Sequence, residues 1–295
     1  MNKINFVFWG TPEVASQTLE ILKRNGFLPS LIVTGTDKPQ GRKMLLTPPP
    51  VKTWAIENNI PYIQPEILSG KDLLLAGVSQ AGEPRGSAVS ADTDSDPIKV
   101  ESLPDFFLVV AYGKIIPEEI LNMPKLGSIN VHYSLLPKYR GASPVETAIL
   151  NGDKETGVSI QKMVYQMDAG PIIAEEKMTI GETETAPELR EKLIKLGGEL
   201  LVKVLPDFIE QKIKPKDQTG EPTYCKKIKK EDGLINLNDD PIKNYNKFRA
   251  YAHWPRTFFF KDDKKIIITK DKLENNTQVI EKVIPEGAKE IKYKN

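Results

Sequence analysis

The chain has 295 residues, of which 39% are hydrophobic and 27% are charged, and its formal net charge is +1. The composition is typical of a globular protein, and the length predicts two domains. The small net charge excludes a general electrostatic attraction of polyanions to the whole surface. One cysteine and two histidines exclude an internal disulfide and a structural zinc site with four nitrogen or sulfur ligands.

Predicted strands and helices alternate along the first two thirds of the chain. The apolar runs at 4–10 and 106–113 are continuous, which is typical of parallel strands covered on both faces. Thr11 is predicted to cap the first helix and Gly26 to end it. The sequence therefore predicts an α/β domain with a mostly parallel sheet. The predicted strands are 4–10, 31–36, 106–113, 128–134, 157–164 and 170–180, with a short extended piece at 61–65, and the predicted helices are 11–26, 51–59, 117–123, 143–152 and 186–205.

Two segments interrupt this alternation. Residues 37–50 form a predicted loop rich in proline, glycine and basic residues. Residues 76–96 are small and polar, so we predict a flexible surface insertion there without a chemical role.

The C-terminal part has a different character. A polar linker is predicted at 206–221, and the short runs beyond it indicate the strands and turns of a small β-rich domain, in which Trp254 is expected to pack in the core. Residues 222–295 hold 17 Lys and Arg against 11 Asp and Glu. This excess favours a nucleic-acid or phosphate partner, although a solvated lysine-rich surface explains the same charge.

No apolar stretch reaches the length of a membrane span. The run at 4–10 is too short for the hydrophobic region and cleavage site of a secretion signal, and it indicates a first core strand instead. We therefore expect a cytoplasmic protein without a membrane partner.

The turn after the first strand offers a weak functional signal. Gly10 stands there without the other glycines of a G-x-G-x-x-G motif, so a dinucleotide site is poorly supported. The following helix still presents free N–H groups that suit an anion, and a plain strand-to-helix turn explains the sequence equally well.

Candidate catalytic residues lie on the strand at 128–134. Asn130 and His132 are two residues apart, so their side chains point to the same face. Ligands of an open α/β sheet bind at the carboxyl ends of its strands, where this pair lies. An amide donor beside an imidazole suits a reaction that forms an oxyanion at a carbonyl. The alternative is a histidine that only forms hydrogen bonds within the sheet.

A third candidate is Asp168, which precedes Ala-Gly-Pro in a loop between two predicted strands. Its carboxylate can orient His132 and favour the charged imidazole, although turn aspartates are common. No covalent nucleophile is evident, since Cys225 lies beyond the linker and no G-x-S-x-G motif is present. The three residues therefore favour direct transfer, in which a substrate supplies the attacking group.

The stretch 128–172 closely resembles the core of the formyltransferases that use 10-formyltetrahydrofolate. The family motif Asn-x-His-x-Ser-Leu-Leu-Pro is matched at 130–137, and its later loop aspartate before a glycine is matched at Asp168. The segments FVFWGTPEVA, DKPQGRK, VVAYGKIIP and VIPEGAK resemble the branch of this family that formylates methionyl-tRNA. The resemblance covers nearly all of the chain, apart from the insertion at 76–96 and a short tail.

The resemblance implies a Rossmann-like formyltransferase domain at 1–205 and, at 222–295, a C-terminal β-barrel that resembles an OB-fold and binds tRNA. It implies 10-formyltetrahydrofolate as co-substrate, initiator methionyl-tRNA as acceptor and a role in translation initiation. We expect no metal and a monomer. The short tail bears on the strength of tRNA binding more than on the chemistry.

The resemblance also implies roles for individual residues. Asn130 and His132 would hold the oxyanion, and Asp168 would orient His132 and help to accept the amine proton. The residues expected to line the folate pocket are Ser134, Leu135, Leu136 and Pro137, and those expected to contact tRNA are Lys38, Arg42, Lys43, Lys226, Lys227, Lys229 and Lys230.

Three other functions share some of these features. A formyltransferase for a small amine, such as a glycinamide ribonucleotide or an amino sugar, would use Asn130, His132 and Asp168 without needing the basic second domain. A folate-dependent hydrolase would use water as the acceptor. A nucleotide-binding module without catalysis is supported by Gly10 alone, and stabilisation by nucleotides but not by a folate analogue would identify it.

Overall fold

The computed structural model describes residues 4–41, 43–68 and 103–293, so the predicted insertion at 76–96 lies outside the described residues. No helix in the described part is both long and apolar enough to cross a membrane. The helices are α1 Glu13–Arg24, α2 Pro50–Glu57, α3 Glu118–Leu121, α4 Pro144–Leu150, α5 Ala186–Ile209 and α6 Pro241–Ala250. The strands are β1 Phe6–Gly10, β2 Leu31–Val33, β3 Lys38–Gln40, β4 Leu45–Thr47, β5 Tyr62–Ile63, β6 Phe106–Val110, β7 Ser128–His132, β8 Arg140–Gly141, β9 Glu155–Lys162, β10 Ile172–Thr179, β11 Tyr224–Cys225, β12 Phe258–Lys261, β13 Lys264–Glu274, β14 Thr277–Pro285 and β15 Ile291–Lys292.

The main sheet has the order β10-β9-β7-β6-β1-β2-β5. Strands β5, β2, β1, β6 and β7 are parallel to their neighbours, and β9 runs antiparallel to β7. The parallel strands thus follow the doubly wound order, in which the first strand lies centrally and the direction of winding reverses beside it. The predicted α/β class with a mostly parallel, Rossmann-like sheet is confirmed.

The centre of this sheet is fully apolar. Every residue of β1 and of β6 is buried, as expected for parallel strands covered on both faces. Phe6 stacks on Phe106 with ring centroids 5.2 Å apart, and Phe208 of α5 meets Phe106 edge-on at 5.7 Å. These aromatic contacts join the amino ends of β1 and β6 to each other and to α5.

The turn after β1 is built differently from the prediction. Helix α1 begins at Glu13, and Pro12 precedes it without a side-chain cap. The Thr11 hydroxyl instead donates to the Tyr112 carbonyl and accepts from the Gly35 N–H, both at 3.2 Å. Thr11 therefore ties together the chain segments that leave β1, β2 and β6, and the prediction that it caps the helix is wrong.

Two further predictions need correction in the first two thirds of the chain. The predicted loop at 37–50 contains an antiparallel hairpin, β3 and β4, and the first residue of α2, Pro50. Asp37 lies at its base, where Lys52 Nζ approaches within 2.8 Å and lowers the pKa of the Asp37 carboxyl, with a further bond from Gln64. Helix α5 runs to Ile209, a few residues into the predicted linker.

The described residues divide into two compact units that interleave along the chain. The first comprises the described parts of 1–132, 159–175 and 194–218, and the second comprises 133–158, 176–193 and the described part of 219–295. The domain limits at 205 and 222 stay a prediction.

The C-terminal segment contains the antiparallel sheet β12-β13-β14-β15, which agrees with the predicted β-rich domain and is consistent with a small barrel. Its core is formed by Ile235, Phe259, Ile266, Ile268 and Val283. Helix α6 was not expected from the sequence. Asp240 caps its N-terminus, and the Asp240 side chain accepts hydrogen bonds from the N–H groups of Ile242 and Lys243.

A buried carboxyl group lies within this sheet. Asp271 of β13 is 8% exposed, and Gln278 Nε2 donates to its Oδ2 at 2.6 Å. Burial raises the pKa of Asp271 from 3.8 to about 6, although the bond from Gln278 acts in the opposite direction. The ionised carboxylate therefore disfavours the folded state at neutral pH.

Replacing Asp271 with asparagine is expected to stabilise the protein at high pH. Since the folded pKa lies above the unfolded value, the destabilisation begins near pH 4, grows through pH 6 and is complete above it. Asp271→Asn should therefore raise the free energy of unfolding at pH 8, by at most about 3 kcal/mol, and leave it unchanged below pH 4. Urea unfolding at both pH values measures this, with the exposed turn variant Asp262→Asn as the control. A gain that is equal at both pH values would contradict the burial argument.

Candidate active site

The register between β7 and β9 determines which side chains lie on one face of the site. Asn130 lies opposite Gln161, and His132 lies opposite Ser159. Directly opposed residues in an antiparallel pair project to the same face, so these four side chains share one side of the sheet. The face lies at the carboxyl end of β7, where a doubly wound sheet binds its ligands.

The His132 and Asp168 side chains come together on this face. His132 Nδ1 lies 3.7 Å from Asp168 Oδ2, with the two side chains 7% and 15% exposed. The distance exceeds that of a formed hydrogen bond, but catalytic contacts often tighten only when substrate binds. The structure thus brings together the aspartate and the histidine, which sequence reasoning could propose but could not place.

The Asp168 loop is fixed by close packing. Asp168 has a φ of 49°, in the left-handed region that aspartate tolerates better than most residues. A Cβ on Gly170 would lie 1.7 Å from the Lys162 carbonyl oxygen, so only glycine fits there. Gly170, two residues after Asp168, therefore allows the loop to pack closely against β9.

Two glutamines that the sequence analysis missed support this loop. Gln161 Nε2 donates to Asp168 Oδ1 at 2.9 Å, and Gln218 Nε2 donates to the carbonyls of Asp168 and Gly170, each at 2.8 Å. A buried amide at a position that alternation places on the same face as Ser159 was the signal available for Gln161. Gln218 lies in the predicted linker, where the sequence offers no signal.

These contacts fix which oxygen of the Asp168 carboxylate faces His132. The Asp168 carboxylate accepts from Gln161 through one oxygen and faces the imidazole through the other. A carboxylate held in this way orients the imidazole, while Nε2 lies on the far side of the ring. Such an arrangement can hold an oxyanion and move a proton at a carbonyl centre.

The four expected folate residues follow His132 directly in the chain and belong to the second unit. Ser134 is fully buried, and its hydroxyl donates to the Lys138 carbonyl at 2.5 Å. The Leu136 side chain is also buried. The side chains of Ser134 and Leu136 therefore stabilise the turn itself, which leaves backbone groups and the half-buried Leu135 and Pro137 as the surfaces for a ligand.

The expected tRNA contacts lie in separate parts of the chain. Lys38 and Lys43 are exposed on the hairpin of the first unit, and Arg42 lies outside the described residues. Four exposed lysines belong to the second unit: Lys226, Lys227, Lys229 and Lys230. Trp254 is 51% exposed, so the prediction that it packs in the core is wrong.

The sheet order, together with an amide and an imidazole at the end of β7 and a carboxylate beside them, suits a group-transfer enzyme that acts on a carbonyl centre. The model of the formyl transferase family matches residues 2–205, and that of the formyl transferase C-terminal domain matches residues 227–292. The chain belongs to the formyl transferase family.

Relatives and solved structures agree with this assignment. Methionyl-tRNA formyltransferase of Thermodesulfovibrio yellowstonii is 39% identical over 92% of this chain and 81% of its own. An N-formyltransferase from Helicobacter canadensis, solved with folinic acid and dTDP-3-aminofucose, has a TM-score of 0.65 at 19% identity and covers 99% and 100% of the two chains. Methionyl-tRNA formyltransferase from Clostridium thermocellum has a TM-score of 0.59 at 18% identity, with coverages of 98% and 100%. The two solved structures show the shared fold.

Gln161 gives a test of how the site is supported. Its Oε1 is buried without a hydrogen-bond partner in the described structure, so leucine, of similar size, removes an unsatisfied acceptor along with the Nε2 donor and should lower the free energy of unfolding by at most about 3 kcal/mol. Loss of the Nε2 donor should nevertheless release Asp168 and lower the rate of formyl transfer about ten- to a hundredfold. Steady-state kinetics and thermal unfolding of Gln161→Leu measure the two effects.

The matched control is Gln278→Leu, which removes the same kind of glutamine-to-aspartate bond in the C-terminal sheet. That variant should keep the full rate of transfer. Equal rates for Gln161→Leu and the unmodified chain would show that Asp168 does not depend on this bond.

Proposed function

We propose that this chain transfers the formyl group of 10-formyltetrahydrofolate to the amino group of methionyl-tRNA and serves translation initiation in the cytoplasm. The observation that carries the proposal is the His132–Asp168 pair beside Asn130 at the carboxyl end of β7. The acceptor is supported by the extensive similarity to the Thermodesulfovibrio enzyme. We further propose a monomer with a catalytic domain at 1–205, a linker at 206–221 and a tRNA-binding domain at 222–295.

The first chemical step is attack by the neutral amine of the methionyl group on the formyl carbon. The C=O bond becomes a C–O⁻ single bond, and the new oxyanion accepts hydrogen bonds from the Asn130 amide and the His132 imidazole. The attacking nitrogen gains a positive charge and must lose a proton. Asp168, oriented by Gln161, holds His132 in position and helps to accept that proton.

The second step is collapse of the tetrahedral intermediate. The C–O⁻ group reforms the carbonyl, and the bond between the formyl carbon and N10 of the folate breaks. N10 takes up the proton that the amine released, so the products are formylmethionyl-tRNA and tetrahydrofolate. The protein forms no covalent bond in this sequence, in keeping with an attacking group that belongs to the substrate.

Binding of the two substrates is proposed to involve different segments. Ser134–Pro137 would line the folate pocket through their backbone. The exposed lysines of the hairpin, together with Arg42, and those at 226–230 would contact tRNA phosphates. An attraction of this kind weakens as salt rises, because each contact releases counterions from the RNA.

An amino-sugar acceptor is the main rival, since a solved structure of the same fold was obtained with dTDP-3-aminofucose. That likeness, at 19% identity, extends to the fold alone. The basic C-terminal part, with 17 Lys and Arg against 11 Asp and Glu, favours a polyanionic acceptor instead.

The direct test supplies the purified full chain with 10-formyltetrahydrofolate and either methionyl-tRNA, a dTDP-linked amino sugar or no added acceptor. Methionyl-tRNA should be formylated, whereas a dTDP-linked amino sugar should not, and little free formate should be released. Formylation of the sugar alone would replace the acceptor and keep the chemistry. Release of formate without any acceptor would identify a hydrolase.

Substitution of Asn130 tests the proposed stabilisation of the oxyanion. Asn130→Ala should lower kcat about a hundred- to a thousandfold, because removal of one oxyanion donor commonly has an effect of this size. KM for methionyl-tRNA should change much less. Asn122→Ala, an exposed asparagine at the end of α3, serves as the control and should retain full activity. An Asn130→Ala enzyme with normal kcat would exclude this role.

A further inference from the structure

A cavity of about 260 Å³ lies within the second unit, apart from the residues assigned above to catalysis. Trp254, His253 and Lys227 line it, together with the side chains of Arg190 and Glu146. Its volume is below the roughly 300–1,000 Å³ of pockets that enclose a drug-sized molecule, and it suits one flat ring system. The site therefore fits a small part of a larger ligand.

The exposed indole is held on a rigid base. Trp254 is 51% exposed and lies in the turn that follows α6. On the helix side of the turn, the buried Arg249 guanidinium donates to the carbonyls of Gly181 and Glu184 at 3.2 and 3.1 Å. On the other side, the Arg256 N–H donates to the Tyr251 carbonyl at 3.1 Å. The protein thus fixes a large aromatic surface in contact with solvent, which suits the stacking of a ligand ring.

The polar groups around the indole complete the site. Lys227 is exposed and carries a positive charge at the edge of the cavity. Arg190 pairs with Glu146, whose side chain is 13% exposed, so this pair is held in place and offers both donors and an acceptor. An aromatic face beside a cation and a pair of this kind suits a nucleobase with its phosphate.

We propose that this cavity binds one unpaired nucleotide of an RNA ligand. Trp254 stacks on the base, Lys227 contacts the phosphate, and the Arg190–Glu146 pair faces the polar edge of the base. A base within a duplex offers no free face to a single indole, so the ligand is a nucleotide at a strand end, in a loop or in a bulge. This inference rests on the proposed tRNA acceptor for its biological ligand, but its chemistry can be tested separately.

Tryptophan fluorescence can report the stacking directly. Trp9 and Trp54 are 0% and 7% exposed, so quenching by a ligand in solution reports mainly on Trp254. Titration of the full chain with a single-stranded tetraribonucleotide, and separately with uncharged tRNA, should quench the emission and reach saturation. A matched RNA duplex without unpaired ends should quench far less. Equal quenching by the duplex, or none by either single-stranded probe, would overturn the proposal.

Variants test the contribution of each group to binding. Trp254→Ala should weaken tRNA binding about five- to a hundredfold, whereas Trp254→Phe, which keeps an aromatic face, should retain most of the affinity. Lys227→Gln should reduce the slope of log affinity against log salt by about one, and the exposed Lys264→Gln, outside the cavity, serves as the control. If the Trp254→Ala variant does not fold, the Phe and Lys227 variants decide the question. Unchanged affinity for Trp254→Ala, or an unchanged salt slope for Lys227→Gln, would contradict the site.

Kinetics separates this inference from the proposed function. In an enzyme that formylates methionyl-tRNA, Trp254→Ala should raise KM for the tRNA and leave kcat unchanged, because the indole does not belong to the catalytic residues. Quenching by single-stranded RNA without formylation of methionyl-tRNA would refute the proposed function and keep the nucleotide site. Formylation with an unchanged KM and no quenching would refute the nucleotide site alone.

Discussion

The approach of Asp168 to His132 is the interaction on which the rest of the site depends. It requires a loop in which Asp168 has a left-handed backbone conformation and Gly170 packs against the β9 backbone, where no side chain fits. It also requires Gln161, which the β7–β9 register places opposite Asn130. A small change at Gly170 or in the register would separate the two groups before any catalytic residue was altered.

The wider fold provides the rigidity that this interaction needs. Continuous apolar strands fill the centre of the sheet, and Thr11 ties the segments that leave three of them. The second unit has a different chemical character, with exposed lysines and an exposed indole on a rigid turn. The first unit thus holds the candidate catalytic residues, and the second presents groups that suit RNA.

Much of this arrangement could be predicted from the sequence, for physical reasons. Continuous apolar runs revealed the central strands, and strand alternation placed Asn130 and His132 on one face. Helix α6 could not be predicted, because its buried face includes Asn244, Asn246 and Arg249, which interrupt the apolar period of a helix. The contact of Gln161 with Asp168 depends on register, and the exposure of Trp254 depends on tertiary packing, so neither could be read from local pattern.

The most direct test of the account is a double-mutant cycle between His132 and Asp168, measured as the single-turnover rate of formyl transfer to methionyl-tRNA. If the two act as one unit, His132→Ala and Asp168→Asn should each slow transfer about a hundredfold or more, and the double variant should be no slower than the worse single variant. Losses that multiply in the double variant, or a His132→Ala enzyme with the full rate, would contradict the central claim.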